Sequence, residues 1–207
     1  MNVNTVYMKF EKRGTYHHGD LRSALVQVAL ELVRRGGVEK FSLREVARDV
    51  GVAPAAAYNH FADKDQLLAA IALEAQMLLA RRTLEATSGL TDAKRLEAVG
   101  RAYIEFACDE PRLFHLLFSR LGAASLQASY ETADGESIPS SYEQLRMAVA
   151  EVQSDKQKPV DEDMLALAWS VAHGAASLIS DGMWQSNDGR ADAALRLALE
   201  LMSTRNR

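Results

Sequence analysis

Tyr58, His60 and Lys64 stand close together in AAAYNHFADK, and they place a phenol, an imidazole and an ammonium on one short stretch of chain. Ser42 and Arg44 add a hydroxyl and a guanidinium a little upstream, in FSLREVARDV. Set on a helix-turn-helix, groups of these kinds suit contact with a nucleic acid. Lysine pairs with phosphate, arginine pairs bidentately with guanine, and asparagine, here Asn59, pairs with adenine. Ala55 and Ala56 offer only methyl contact with thymine or a close approach to the groove. Lys64 opens a helix, so its ammonium and the free backbone N–H groups can meet one phosphate together. The plainer alternatives are a solvated Lys64, a packed Tyr58, a Ser42 that only caps, and an Arg44 that touches phosphate instead of a base.

Two short helices must hold these groups. Ser42 with Glu45 three residues on is a capping-box pattern, and Leu43, Val46, Ala47 and Val50 then recur at helical spacing. Gly51 ends that helix, and Pro54 starts another that runs to about His60. The second helix is too short to be stable alone, so its neighbours must hold it. A helix, a glycine turn and a second helix with a polar edge match a helix-turn-helix that reads DNA. Phe41 and Phe61 bracket it as core anchors. Before it, a long helix from Gly19 carries the stripe Leu21, Leu25, Val28 and Leu32 and stops at Gly36-Gly37. Thr15, Tyr16 and His17 precede it as an arm beside the duplex, with Lys9, Lys12 and Arg13 as basic residues further out.

The rest of the chain reads as helices that position nothing catalytic. A fourth helix begins after Asp63 and reaches about Ala86, roughly 35 Å at 1.5 Å per residue, long enough to enter a second domain. A fifth starts at Asp92. A short apolar sixth follows Pro111 and takes in Leu113 to Leu121. Gly122 to Pro139 reads as a long loop, the seventh helix as Ser140 to Val152, the eighth as Asp161 to about Trp184, and the last as Arg190 to Met202. No strand pattern stands out. HExxH, CxxC, a Gly-rich phosphate loop and G-x-S-x-G are all missing, and the five histidines show no metal-ligand spacing beyond the adjacent pair His17-His18, so no enzyme, metal or cofactor is expected. Cys108 is the one cysteine, which forbids an internal disulfide and fits a reducing compartment.

Composition agrees with this reading. The 207 residues are 48% hydrophobic with a net charge of −4, yet residues 1–65 carry +2 and the remainder −6. A mildly basic end on an acidic body suits DNA at that end. The N-terminus lacks the apolar core of a secretory signal, and Met8 is an alternative start. Met164 to Ser180 has no charged residue, but it is short of the roughly 20 residues that span a bilayer and reads as a buried helix, so no membrane is expected. Its Ala172, Gly174, Ala175, Ala176 and Ser177 let another helix approach closely. With the last helix, it would form an isologous four-helix interface between two copies.

GTYHHGDLRSALVQVALELVRRGG followed by FSLREVARDVGVAPAAAYNHFADKDQLL resembles the DNA-binding domain of the tetracycline-repressor (TetR) family. The specific part is Tyr58-x-His60-Phe61 with Lys64-x-x-Leu67, and the resemblance covers about the first third of the chain. Trp169, His173 and Gly174, spaced W-x-x-x-H-G, look like the C-terminal domain of one subgroup. The resemblance implies an all-α fold: residues 1–64 as a three-helix DNA-binding domain with an arm, and residues 65–207 as a helical ligand-sensing and dimerising domain. It implies a cytoplasmic homodimeric regulator, a repressor, released from a pseudo-palindromic double-stranded operator by a small effector. Trp169 and His173 share a helix face and are candidate effector contacts, with Tyr103, Phe106, Phe114, Phe118 and Met147 lining the same cavity. Core packing is the plainer reading of those rings, and if they are a pocket its occupant is apolar or aromatic. The rival function is a helical small-molecule-binding protein or enzyme with a vestigial DNA domain, which an intact Tyr58, His60 and Lys64 oppose.

Overall fold

Ser42 is extended (φ −132°, ψ 157°), and its hydroxyl accepts a hydrogen bond from the Glu45 N–H at 3.2 Å, so the capping pattern read from the sequence starts α2 (Leu43–Val50). Gly51 at φ 87° ends it, donating its N–H to the Ala47 and Arg48 carbonyls, in a left-handed conformation that a side chain would strain. Pro54 follows as the first residue of α3 (Pro54–Tyr58), which stops at Tyr58, two residues sooner than expected. α1 (His18–Gly36) lies before this pair, and α4 (Lys64–Thr87) after it, capped by Asp63 through the Gln66 N–H at 2.8 Å. The computed structural model describes residues 18–123, 129–131, 135–153 and 157–205. The arm residues Thr15, Tyr16 and His17 lie outside them, as do Lys9, Lys12 and Arg13.

Beyond α4 come α5 (Asp92–Asp109), α6 (Pro111–Leu117), α7 (Arg120–Ala123), α8 (Ser141–Val152), α9 (Glu162–Ser180) and α10 (Arg190–Arg205). The fold is all-α. The expected sixth helix is two: Ser119 breaks it, its hydroxyl donating to the Leu116 carbonyl and accepting from the Gly122 N–H. Gly122 permits the bend, because a Cβ there would sit 2.3 Å from the Leu116 and Leu117 carbonyl oxygens. The expected loop to Pro139 is corrected too. Ser129–Glu131 (β1) pairs antiparallel with Ser137–Pro139 (β2), Tyr130 opposite Ile138. Three-residue strands are too short to show alternation in sequence, but both central residues are buried, packed with Ala80, Leu73 and Met77 of α4. α9 ends at Ser180 rather than near Trp184, and α10 runs past Met202 to Arg205.

The main core runs without interruption from α1 (Leu25, Val26, Ala29, Val33) through Phe41, Val46 and Phe61 to α4, then on to α5, α6 and α9. Phe41 and Phe61 are 5% and 2% exposed, the anchors expected of them. A second cluster joins Leu96 and Val99 of α5 to Leu145, Val149, Met164, Leu165 and Met202. No helix among the described residues is long and apolar enough to cross a membrane.

Candidate nucleic-acid interface and aromatic cluster

Burial of Leu43, Val46, Ala47 and Ala57 fixes which edges of α2 and α3 point outward. Ser42, Arg44, Ala55, Tyr58 and Asn59 are exposed, while Ala56, His60 and Lys64 are half-buried. Tyr58 keeps 45% of its surface open, which removes the packed alternative for it. Arg44 has no ion pair among the described residues, whereas its neighbour Arg48 is held by Asp49 at 3.1 Å and Glu45 at 3.6 Å. Of the two arginines on α2, Arg44 is therefore the one left available to an external anion.

Lys64 is more constrained than the sequence suggested. Its ammonium lies 4.8 Å from the centroid of the Phe41 ring, a cation–π seat at the first residue of α4. Arg22, which sequence reasoning missed, lies in the same way 4.9 Å from the Phe61 ring centroid. An exposed arginine near the start of α1 carries no signal in sequence, because only folding brings Phe61 beneath it. The surface thus presents Tyr58, Asn59, Arg44 and two aromatic-seated cations around a methyl-rich helix. Its cations are of the kind that pair with phosphates, and it offers few side chains able to hydrogen-bond a base edge.

In the body, the expected ring cluster forms in part. Tyr103 packs on Phe114 (5.7 Å between centroids, 82° between planes), on Trp169 (5.4 Å) and on Phe118 (6.2 Å). Trp169 stacks on His173 at 5.5 Å and 9°. Tyr142, which the sequence did not flag, meets Trp169 edge-on at 5.3 Å. Two expected members are not brought there. Met147 is 47% exposed on α8, because the buried face of that helix is Leu145, Ala148 and Val149. Phe106 is fully buried but lies under the Arg82 guanidinium at 5.5 Å rather than among these rings.

The Tyr103 hydroxyl is 2.8 Å from His173 Nδ1. Burial pushes the Tyr103 phenol well up and the His173 imidazole down, so both stay neutral. Either the phenol donates to Nδ1 of the imidazole or a protonated Nδ1 donates to the phenol oxygen, and the contact ties α5 to α9 in both cases. The Cys108 thiol is pushed up by burial and by Asp109 and Glu105, which keeps it unreactive.

α6 joins this cluster to the DNA-facing end. Phe114 lies against Tyr103 and His173, and one turn earlier Glu110 holds Arg34 of α1 through both oxygens, at 3.0 and 2.9 Å. Arg112 donates to the Arg34 carbonyl at 2.6 Å, and at the far end of α6 His115 reaches Asp181 at 2.8 Å. Burial opposes the Arg34 charge, but bonds to Glu110 and Glu31 outweigh it and raise its pKa. Neither Arg34 nor Glu110 stood out in sequence, since the pair is 76 residues apart.

Residues 25–71 match the model for bacterial regulatory proteins of the tetR family, and residues 96–202 match the tetracyclin repressor-like C-terminal domain. An uncharacterised HTH-type transcriptional regulator of Haemophilus influenzae is 31% identical over 125 residues, 56% of this chain and 57% of that one. The nicotine-responsive transcriptional repressor HdnoR of Paenarthrobacter nicotinovorans is 34% identical over 77 residues, 37% of this chain and 40% of that one. The chain thus spans about half the length of these curated relatives. A solved structure, of a protein with unknown function from Rhodococcus sp. RHA1, is similar at a TM-score of 0.68 and 25% identity, over 94% of this chain and 99% of that one.

Proposed function

This chain belongs to the tetR family of bacterial regulatory proteins, transcription regulators rather than enzymes, and from that premise we propose that it is a ligand-released repressor. It binds a pseudo-palindromic operator as a homodimer in the cytoplasm. The observation that carries the reading is the exposed edge of Arg44, Tyr58 and Asn59, held on two short helices by a buried core, with the half-buried Lys64 beside it at the start of α4. Residues 1–64 do the binding, with Thr15, Tyr16 and His17 as an arm, and residues 65–207 sense and dimerise. Tyr58, His60, Lys64, Ser42 and Arg22 hold the backbone, while Arg44, Asn59, Ala55 and Ala56 face the bases.

Dimerisation through α9 and α10 is supported by what they leave uncovered. Leu197 and Leu201, one turn apart on α10, are 56% and 52% exposed, and a Cβ added at Gly174 of α9 would meet nothing within 4 Å. A second copy packed there makes a two-fold, self-complementary interface. It sets the two recognition helices about one turn of DNA apart.

The effector enters beside Tyr103, Phe114, Phe118, Trp169 and His173, and the nicotine-responsive relative supports control by a small molecule. Two links carry its arrival to the DNA: α4, which begins at Lys64, and α6 with its Glu110–Arg34 pair. An effector that binds the non-DNA arrangement better shifts the population by no more than its differential affinity.

The test is selection of binding sites from a random duplex library by the purified protein, at two salt concentrations. A pseudo-palindrome should be enriched, with affinity that falls steeply as salt rises. Binding without enrichment, or without salt dependence, would sink the reading.

A further inference from the structure

We propose that the body holds a polar subsite for a neutral amide-type group, anchored by Gln76 of α4 and Gln144 of α8. This deepens the effector reading above and rests on it. Gln76 is 2% exposed, and its Nε2 has no hydrogen-bond partner. The Gln144 amide is fixed in orientation, because its Nε2 donates to the Ala80 carbonyl at 2.8 Å and to the Pro139 carbonyl at 2.9 Å. Its Oε1 is consequently turned away from both carbonyls, buried and without a partner. A buried donor and a buried acceptor thus stand open on facing helices. Ala80, one helical turn beyond Gln76, is the residue Gln144 grips, which places both amides along the same strip of α4.

Helix geometry says where that strip lies. At 100° per residue, Gln76 falls between Ala80, which belongs to the cluster under the β-hairpin, and Ala72 and Leu79, which belong to the main core. Ala72 and Ala80, the helical neighbours of Gln76 on this strip, are both fully buried and small, so neither side chain screens the glutamine amide. Thr83 and Thr87 continue the strip, their hydroxyls turned back onto the Leu79 and Thr83 carbonyls.

Buried polar groups left unpaired are destabilising, and native interiors retain few of them without a partner to come. The partner must be uncharged. Every buried polar side chain among the described residues is neutral: Gln76, Thr83, Thr87, Ser140, Ser141, Gln144 and Gln153. A carboxylate or ammonium would find no compensating charge there. A group with a carbonyl for Gln76 and an N–H or O–H for Gln144 satisfies both, which describes an amide or lactam.

Thermal unfolding with small probes decides the matter. In the wild-type protein, millimolar benzamide should raise Tm measurably, and toluene at equal concentration should not. In Q76L and the more conservative Q76M, the benzamide shift should vanish, and the ligand-free Tm should rise by about 2–4 °C as the unpaired donor is removed. No benzamide shift in the wild type, or an undiminished shift in both variants, would overturn the subsite. So would a ligand-free Tm that falls in both variants. Binding of the wild type to its selected duplex, measured in parallel, reports on the regulator reading separately.

Discussion

Replacing Glu110 by Gln removes one charge from the pair that ties α6 to α1 and leaves the side chain's shape in place. Exposed ion pairs contribute about 0.2–1 kcal/mol, and removing one partner of a buried pair costs about 3–5 kcal/mol. The Glu110 and Arg34 side chains are 13% and 29% exposed, so this pair falls between those limits. Its two-oxygen geometry argues for about 2 kcal/mol. For a chain of this size that corresponds to a fall in Tm of about 4–8 °C. Arg34 retains Glu31 as a partner, and Arg82 loses only its longer contact at 3.7 Å, since Asp109 holds it at 3.0 Å. The partner variant is R34M, and a double-mutant cycle isolates the pair. The functional assay varies the spacing between half-sites of the selected operator. The wild type should lose affinity sharply when one base pair is inserted, and E110Q should lose less, because its DNA-binding helices are held to the body without the charged pair, by α4, packing and the Arg112 bond to the Arg34 carbonyl. A coupling energy below about 0.5 kcal/mol, within the additivity expected of independent sites, would refute the link. So would a lowered Tm with unchanged spacing selectivity, which would leave the pair structural only.

Three further outcomes follow from the geometry. K64A should lower the salt slope of operator binding by about one unit per protomer, while R44A should relax one position of the selected site; a uniform loss for R44A would make that residue a phosphate contact. The lowered pKa of His173 means that the unfolded chain binds the proton more readily, so its contribution to stability is complete above about pH 6.5 and is lost as pH falls through the folded value. Chemical denaturation between pH 7.5 and 5 should therefore show a pH dependence that H173N reduces, and identical profiles would refute the assignment. L197D combined with L201D should yield a monomer by light scattering at micromolar concentration, with weakened operator binding; a dimer that survives both changes places the interface elsewhere.

The parts legible in sequence were those governed by local chemistry. Ser42 with Glu45, Gly51, Pro54 and Asp63 act within one helical turn, so their caps and stops stand where the residues stand. The phenylalanine anchors were legible because two large apolar rings bracket the helix pair just outside its ends. What failed depends on distance. The β-hairpin is made by Tyr130 and Ile138 finding α4, and Ser119 splits a helix because Gly122 alone can approach two carbonyls there. Met147 has the right chemistry on the wrong face of α8. Arg22 over Phe61, and Glu110 on Arg34, join residues whose separation along the chain hides them, and no pattern in either segment announces the other.

The methyl-rich face of α3 has a consequence for how such a protein changes its target. Ala57 is fully buried and bound to the fold, but Ala55 is exposed and Ala56 half-buried. Ala56 packs against the main core, so Ala55 is the position of this face open to substitution, and on the proposed reading a single Arg or Asn there would add a base preference with little penalty in stability. On the proposed reading the aromatic-seated cations supply the grip and Arg44, Asn59 and Ala55 the base preference, so affinity and specificity would be carried by different residues. A change at Ala55 would then redirect the operator while the core beneath α3 stays intact.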